Sequence, residues 1–372
     1  MRFLDYVEIN PSISLDKDIE YDFVEMANVS TSNRLPDLIE KKKFSSGVKF
    51  EKNDTVIARI EPCLQNGKKF FCKDIQQGFG STEYLVFRPR NGQLDAKYLY
   101  YLMQTHYIRQ SMISSMSGST GRRRVNNRVF ESLDINFPKL EIQKKIADIL
   151  SHYDDLIENN QKQIALLEEA ARRLYNEWFV KLHFPGYKNV KIVDGIPKGW
   201  KEGKLQDIGI FIRGKTITQS DLKEGNIPVV AGGLEPAYYH NKANTKSPVI
   251  TISASGANAG YTKLYNTAVW SSDSSFLDED NTDFLYWIYC YLKTNTQILS
   301  NLQKGSAQPH VYAKDINDIT LMIPNRNLII LFNTKSKIIF NKIGVLSKQI
   351  EYLKEARDRL LPRLMNGEIE VK

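Results

Sequence analysis

The sequence predicts an α+β chain built on an internal repeat: two mixed α/β front domains, each followed by one long helix, with the two helices packed along each other. Three observations predict it. The halves match each other without a gap at a shift of 186 residues from Tyr98 to Trp178. The rear of each half carries a heptad of apolar residues. Short β-like runs broken by Gly, Asn and Pro lie ahead of each heptad.

The repeat comes first because it fixes the organisation. Leu99-Tyr100 falls on Leu285-Tyr286, Val125 on Val311, Pro138 on Pro324 and Gln163-Ile164 on Gln349-Ile350. Glu169-Ala170 and Arg173-Leu174 fall on Glu355-Ala356 and Arg359-Leu360. Upstream the match needs gaps, although Ser81-Thr82-Glu83 resembles Ser271-Ser272-Asp273. The expected divisions are 1–138 and 187–323 for the front domains, and 139–186 and 324–368 for the helices.

In the first helix Ile146, Tyr153, Asn160, Leu167 and Leu174 alternate at spacings of 4 and 3 with Leu150, Ile157, Ile164, Ala171 and Trp178. That is the coiled-coil period. In the second, Phe332, Ile339, Ile343, Leu346, Ile350, Leu353, Leu360 and Leu364 keep the register, which loosens at Ser336 and Arg357. Both helices should begin just after proline, at Pro138 and Pro324. The first should stop near Phe184-Pro185-Gly186 and the second near Asn366-Gly367. Asn160 should face Leu346 and help fix register. From Ile146 to Trp178 such a helix covers ~48 Å at ~1.5 Å per residue.

The β-like runs are Thr55–Ile60, Tyr84–Phe87, Val249–Ser253 and Thr267–Trp270. Each front domain ends in an aromatic helix, Tyr98-Leu-Tyr-Tyr-Leu-Met and Phe284-Leu-Tyr-Trp-Ile-Tyr, read as core rather than as a platform for bases. The three cysteines, Cys63, Cys72 and Cys290, are read as reduced core thiols without a disulfide framework. The chain starts with acids where a signal peptide would be apolar, and no apolar run is long enough to span a bilayer, so a cytoplasmic location is expected.

The net charge of +8 suits a polyanionic partner but is spread along the chain. The sharper signal is local. Neither Ala96–Phe130 nor Phe284–Lys314 contains an acid, in a chain with 43 of them. The first window holds Lys97, Arg109, Arg122, Arg123, Arg124 and Arg128; the second holds Lys293, Lys304, His310 and Lys314. Each has a glycine-serine loop at the same repeat position, Ser117-Gly-Ser-Thr-Gly-Arg-Arg-Arg and Lys304-Gly-Ser-Ala-Gln-Pro-His. Small residues admit a phosphate, and arginine pairs with phosphate or guanine edges. The DNA-contact candidates are therefore Arg122, Arg123, Arg124, Arg128, Lys304, Gln308 and His310, with Gln308 suited to adenine. The competing reading is a solvated cationic turn.

Catalytic chemistry is not expected. Gly209-Ile-Phe-Ile-Arg-Gly-Lys-Thr216 matches the phosphate-loop pattern literally, but its interior reads as a strand and the preceding Lys201–Asp207 is too polar for a buried one. The five histidines show no zinc-ligand spacing, and lone ones such as His106 and His152 are read as structural. There is no Asn/Asp-Pro-Pro-Tyr run of an adenine methyltransferase and no metal site is expected.

Taken together, the motifs resemble the specificity subunits of type I restriction–modification systems, along nearly the whole chain. Gly195-Ile-Pro-Lys-Gly-Trp200, Leu205-x-Asp207 and Gly214-Lys-Thr216 resemble the opening of a family target-recognition domain. Pro138-x-x-x-x-Gln143-x-x-Ile146 resembles the start of a family helix, and Leu174-Tyr-x-x-Trp178-Phe-Val with Phe184-Pro-Gly its end. Leu364-Met-Asn-Gly-Glu-Ile resembles the end of the second. The chain departs from the pattern at Ile329, where the second helix lacks a glutamine, and at Asn10-Pro11, which replaces the tryptophan motif.

The resemblance implies two target-recognition domains joined by an antiparallel coiled coil with pseudo-twofold symmetry. It implies a non-catalytic reader of double-stranded DNA with a bipartite, asymmetric site. Two methyltransferase subunits and restriction/translocase subunits would be the protein partners. No cofactor of its own is expected; S-adenosylmethionine, ATP and magnesium would belong to the partners. The alternatives are a coiled-coil scaffold, or a DNA reader serving another methyltransferase or nuclease assembly.

Overall fold

The computed structural model describes residues 1–90, 92–305 and 308–371. It is α+β and divides into two compact units. The first comprises Met1–Asn160 and Gln349–Lys372, the second Gln161–Lys348. Each unit holds one front part and a length of each long helix, Leu140–Tyr175 and Arg326–Met365. Both helices start two residues after the expected prolines. The first ends in a wide π turn over Asn176–Val180, and the second stops before Gly367, whose φ of +72° suits a helix end.

The two front parts share a topology that their sequences barely show. In the first unit an antiparallel sheet runs in the order Val7–Ile9, Tyr84–Pro89, Thr55–Ala58, Lys69–Phe71. In the second the order is Ile212–Arg213, Ser274–Asp278, Val249–Ser253, Thr262–Tyr265. A second sheet in each contains a parallel pair, Glu20–Val24 with Gln77–Gly80 and Ile227–Val230 with Trp270–Ser271. The central strands Thr55–Ala58 and Val249–Ser253 are buried on both faces, which their apolar and Thr/Ser runs permit. The run Thr267–Trp270 is an exception: only Trp270–Ser271 pairs, with Val229–Val230, and the strand beside Val249–Ser253 is instead Thr262–Tyr265. Val269 is held instead by the Thr245 hydroxyl and the Asn244 N–H.

The aromatic helices Ala96–Leu102 and Leu285–Thr294 are core elements, with Tyr98 to Leu102 and Leu285 to Ile288 buried. Cys72 and Cys290 are buried thiols, while Cys63 is only partly covered. His106 and His152 are exposed, so they take no part in the core.

Within the first unit the helices run antiparallel. Ile146 and Leu150 share a cluster with Leu361 and Leu364, Asp154 bonds Arg357, and Asn160 bonds Gln349. Asn160 Nδ2 lies 3.4 Å from Gln349 Oε1, so its polar partner is one turn along from Leu346, to which the heptad pointed. In the second unit the Tyr175 and Trp178 rings lie 5.9 Å from Phe332, and Ile164, Leu167 and Leu174 pack on the cluster of Ala171, Phe340 and Ile343. Ile146, Leu150, Ile157, Asn160, Ile343 and Leu346 are buried. Tyr153, Ile164, Leu167, Leu174, Ile339, Ile350, Leu353 and Leu360 are half-buried.

Residues that loosened the heptad turn out to be buried. Arg357 is 6% exposed and donates to Asp154 at 2.5 Å and to the Ser32 carbonyl at 3.2 Å. Tyr101 donates its hydroxyl to the other oxygen of Asp154 at 2.5 Å. Arg34, itself 3% exposed, bonds Asp155 at 2.6 Å and Glu158 at 2.8 Å, and Lys73 bonds the same two carboxylates. The front domain of the first unit is thus seated on the helices through charge.

The repeat-equivalent seat in the second unit is apolar. Phe340 stands for Asp154, Ala171 for Arg357, Gly344 for Glu158 and Trp287 for Tyr101. Phe340 stacks on Tyr286 at 5.1 Å with the planes 3° apart, a pairing worth about 0.5–1.5 kcal/mol beyond the area it buries.

A second difference explains Ile329. Gln143, buried, accepts from Asp95 N–H and donates to the carbonyls of Gln93 and Pro138. It pins the helix start to the turn before the aromatic helix. In the second unit Ile329 is simply core, and Asn333, one turn later, accepts from Trp287 N–H and donates to the Asp283 carbonyl.

The charged seat can be measured in two ways. Asp154→Ala strands Arg357 in the interior and should destabilise the first unit by roughly 3–5 kcal/mol in chemical denaturation, while replacing both partners by leucine should recover most of it. Lys73 and Arg34 hold the Asp155 carboxyl below its ordinary range against the opposing effect of burial. Its contribution is therefore present above the unfolded carboxylate value of about 3.9 and is lost as pH falls through the lower folded value. Asp155→Asn should flatten the stability curve below about pH 4; an unchanged curve would show that the ion pairs contribute nothing.

Candidate nucleic-acid interface

Each acid-free window contains, after its helices, a short hairpin held against the central sheet. In the first unit Ser117 and Arg124 exchange backbone bonds of 3.0 and 2.9 Å, and Gly118 and Gly121 take left-handed φ values of +121° and +79°. In the second Lys304 and His310 exchange bonds of 2.9 and 2.8 Å, with Gly305 at +94°. Ser306 and Ala307 of that loop lie outside the described residues. Buried Val125 and Val311 then anchor the hairpins, donating N–H to the carbonyls of Arg59 and Ala254. These close, repeat-related geometries come from small residues at positions where a side chain would be strained.

The cations of the first hairpin divide into two kinds. Arg123 forks onto Glu61 at 2.9 and 2.5 Å, and the same carboxylate accepts Gly121 N–H at 3.2 Å. Arg123 thereby holds the Glu61 carboxyl down at about 2, with burial opposing and the Gly121 bond adding to the effect. Arg124 forks onto Glu83 at 2.6 and 2.9 Å. These two guanidinium groups close the hairpin. Arg122 and Arg128 are exposed and, among the described residues, have no carboxylate within ion-pair distance. Arg122 is the charge this hairpin presents to solvent, and Arg128 lies just beyond it in the 3-10 turn Asn127–Glu131.

In the second unit Lys304 is spent on Asp315 at 2.7 Å. His310, at the repeat position of Arg124, stacks on Tyr312 with the ring planes 15° apart. Asp273, in the segment that resembles Ser81–Glu83, bonds Ser255 and accepts from Arg213 at 2.6 Å. Burial raises its carboxyl, but those bonds, with Arg213 and His310 nearby, hold it below the ordinary range. Gln308 is exposed. The acid of this segment thus bonds the hairpin directly in the first unit, through Arg124, while in the second it bonds Ser255 and Arg213 beside His310.

Glu61, Glu83 and Asp273 were not singled out as site residues from sequence. Glu61 lies far from Arg123 in the chain and gives no local signal. The Ser-x-acid likeness of Ser81–Glu83 to Ser271–Asp273 was the one clue to the other two.

The phosphate-loop match is a strand edge. Ile212–Arg213 pairs with Ser274–Asp278, and the N–H groups of Gly214 and Lys215 are consumed by Ser274 and Ser271. A Cβ on Gly214 would sit 2.5 Å from the Ser271 carbonyl, so the glycine serves close backbone approach. The chain then makes a single 3-10 turn, Gln219–Asp221, where a phosphate loop needs a helix N-terminus. No group of metal-ligand side chains occurs among the described residues, and no helix among them is long and apolar enough to cross a membrane.

Comparison with known proteins agrees with this architecture. A family model described as the Type I restriction modification DNA specificity domain matches residues 5–169 and 197–356, once in each half. The chain is 30% identical over 317 residues to the type I restriction enzyme MjaIX specificity subunit of Methanocaldococcus jannaschii, covering 76% of this chain and 71% of that one. It is 25% identical to the HindI specificity subunit of Haemophilus influenzae, covering 86% and 87%. The fold is similar to the crystal structure of a type I restriction-modification S subunit from M. genitalium, with a TM-score of 0.59 at 20% identity, covering 98% and 95%. With the family model matched twice over most of its length, the chain belongs to the type I restriction–modification DNA specificity family.

Proposed function

We propose that this chain is the DNA-reading subunit of a type I restriction–modification complex, with each front domain reading one half of a split, asymmetric site in double-stranded DNA. The observation that carries this reading is the pair of hairpins. Each is closed by a two-way backbone bridge, yet they present different side chains: Arg122 in one and, at the same repeat position, Gln308 in the other, with Arg124 and His310 at the matched closing position and Arg128 just beyond the first hairpin. Arginines at this position suit phosphate or guanine, and glutamine suits adenine, so the two half-sites should be unlike.

The helices hold the half-sites apart and carry the docking surface for two methyltransferase subunits, which restriction/translocase subunits join. Leu331, Ile338 and Val345 support this role. They are spaced by seven residues on the second helix and are 40%, 72% and 53% exposed. A periodic apolar row facing solvent fits a helix of a partner. The chain is non-catalytic in this reading. S-adenosylmethionine, ATP and magnesium reside in the partners, and the complex acts in the cytoplasm.

The decisive experiment is a genome-wide map of adenine methylation with and without the gene. Loss of one split motif is the expected outcome; unchanged methylation would remove the reader role in modification. On the purified chain, Arg122→Ala with Arg128→Ala should weaken duplex binding and reduce the salt slope by about 0.9 for each phosphate that is no longer neutralised. Arg123→Ala and Glu61→Gln should resemble each other, since both open one ion pair. Salt-independent binding, or none, would leave a coiled-coil scaffold. Deleting one heptad from both helices should shorten the gap between half-sites and leave their sequences unchanged.

A further inference from the structure

A cleft of about 950 Å³ opens in the first unit between the helix His106–Ser114 and the last turns of the second long helix. Its charges are unevenly matched. Asp358 is bound to Arg357 at 2.8 Å, and Asp134 lies 3.6 Å from the amino terminus. Arg357 is spent on Asp154 and Asp358. Lys69 and Arg109 are left over. Both turn toward the Gly67 turn on the cleft wall. Lys69 Nζ is 3.5 Å from the Gly67 carbonyl, and Arg109 donates to the Gln65 carbonyl at 2.5 Å. The Arg109 terminal nitrogen lies 3.8 Å from where a Gly67 Cβ would be. Neither has a carboxylate within ion-pair distance among the described residues.

Two further features make the wall receptive to an anion. The helix carrying Arg109 begins at the cleft, and its N-cap residue Thr105 leaves the first turn uncapped, because its hydroxyl donates back to the Leu102 carbonyl at 2.7 Å. Free N–H groups at a helix start favour negative charge. Burial and then the charge of Arg357, with Arg109 adding and Asp358 and Asp154 opposing, push the Lys69 amine down to about 8. The fold therefore holds like charges together at a cost that an anion between them would relieve.

We propose that this cleft binds a phosphate group, held between Lys69 Nζ and the Arg109 guanidinium with the first-turn N–H groups of His106–Ser114 as further donors. Leu102, Met112 and Leu361 supply apolar wall beside it. The phosphate comes either from a DNA backbone, a source that rests on the DNA-reading proposal, or from a free nucleotide, which does not depend on it.

The test uses the full chain with 13C-labelled lysine, titrated separately with inorganic phosphate, ATP and duplex DNA. The Lys69 resonance should move in at least one arm, and its pKa should rise from about 8 toward the ordinary lysine range. Lys69→Gln and Arg109→Gln should each weaken that ligand about tenfold, the effect of losing one charge-assisted bond. Lys69→Arg should keep affinity within about threefold, as the charge is retained. Thermal melting checks that each variant is folded. A response to ATP or phosphate with duplex binding untouched by Lys69→Gln supports the cleft and assigns it to a free nucleotide. A response to phosphate with no duplex binding supports the cleft and overturns the DNA reading. Duplex binding that is intact while Lys69 is silent in all three arms overturns the cleft and leaves the DNA reading standing.

Discussion

The ion pair between Asp154 and Arg357 joins three separate stretches of the first unit. Asp154 belongs to the first long helix and Arg357 to the second, and Tyr101 and Ser32 bring the front domain to the same point. Burying such a pair costs several kcal/mol in desolvation, which attraction alone rarely repays. Here the remaining lone pairs and N–H groups are matched. Asp154 accepts on both oxygens, and Arg357 reaches Asp154, Asp358 and a carbonyl. A seat built this way has a single geometry, because a slip of either helix would leave a buried charge without a partner. Arg34 and Lys73 extend the same constraint to Asp155 and Glu158. The front domain is thus held on the helices by charge matching as well as by the apolar cluster it shares with Ile146, Leu150, Leu361 and Leu364.

The second unit solves the same packing problem with different chemistry. Phe340 on Tyr286 and Ala171 in the apolar cluster replace the charges, and a broad aromatic group of Tyr175, Trp178, Phe179, Trp287 and Phe332 surrounds the helix end. A duplicated domain need not keep its contacts to keep its topology. It needs each seat to be internally consistent, whether polar and fully paired or apolar and well packed. The exchange of Gln143 for Asn333, one turn along, is the same point on a smaller scale: the bridge to the aromatic helix is kept while the residue supplying it moves.

The hairpins show why an acid-free window overstates free charge. Arg123, Arg124 and Lys304 are matched by Glu61, Glu83 and Asp315. Two of these acids come from strands and turns distant in sequence, and Asp315 lies just past the end of the window. The pairs take up those charges while leaving Arg122, Gln308 and the neighbouring Arg128 exposed and His310 stacked on Tyr312.

Much of the architecture was legible in the sequence, because periodicity and repetition are properties of the chain itself. The heptad gave the two helices and their shared faces, the prolines their starts, and the 186-residue shift the duplication. The aromatic runs were rightly read as core, since their burial follows from composition. The hairpin positions were also visible, because glycine and serine at matched places have a local meaning. Tertiary structure alone decided the rest. The common strand order of the front parts is carried by backbone pairing, which tolerates almost any alternation of side chains. The partner of Asn160, the burial of Arg357 and the neutralisation of Arg123 and Arg124 depend on which distant residue arrives opposite. A sequence read locally states what each side chain can bond, but only the fold brings Asp154 to Arg357 and Glu61 to Arg123.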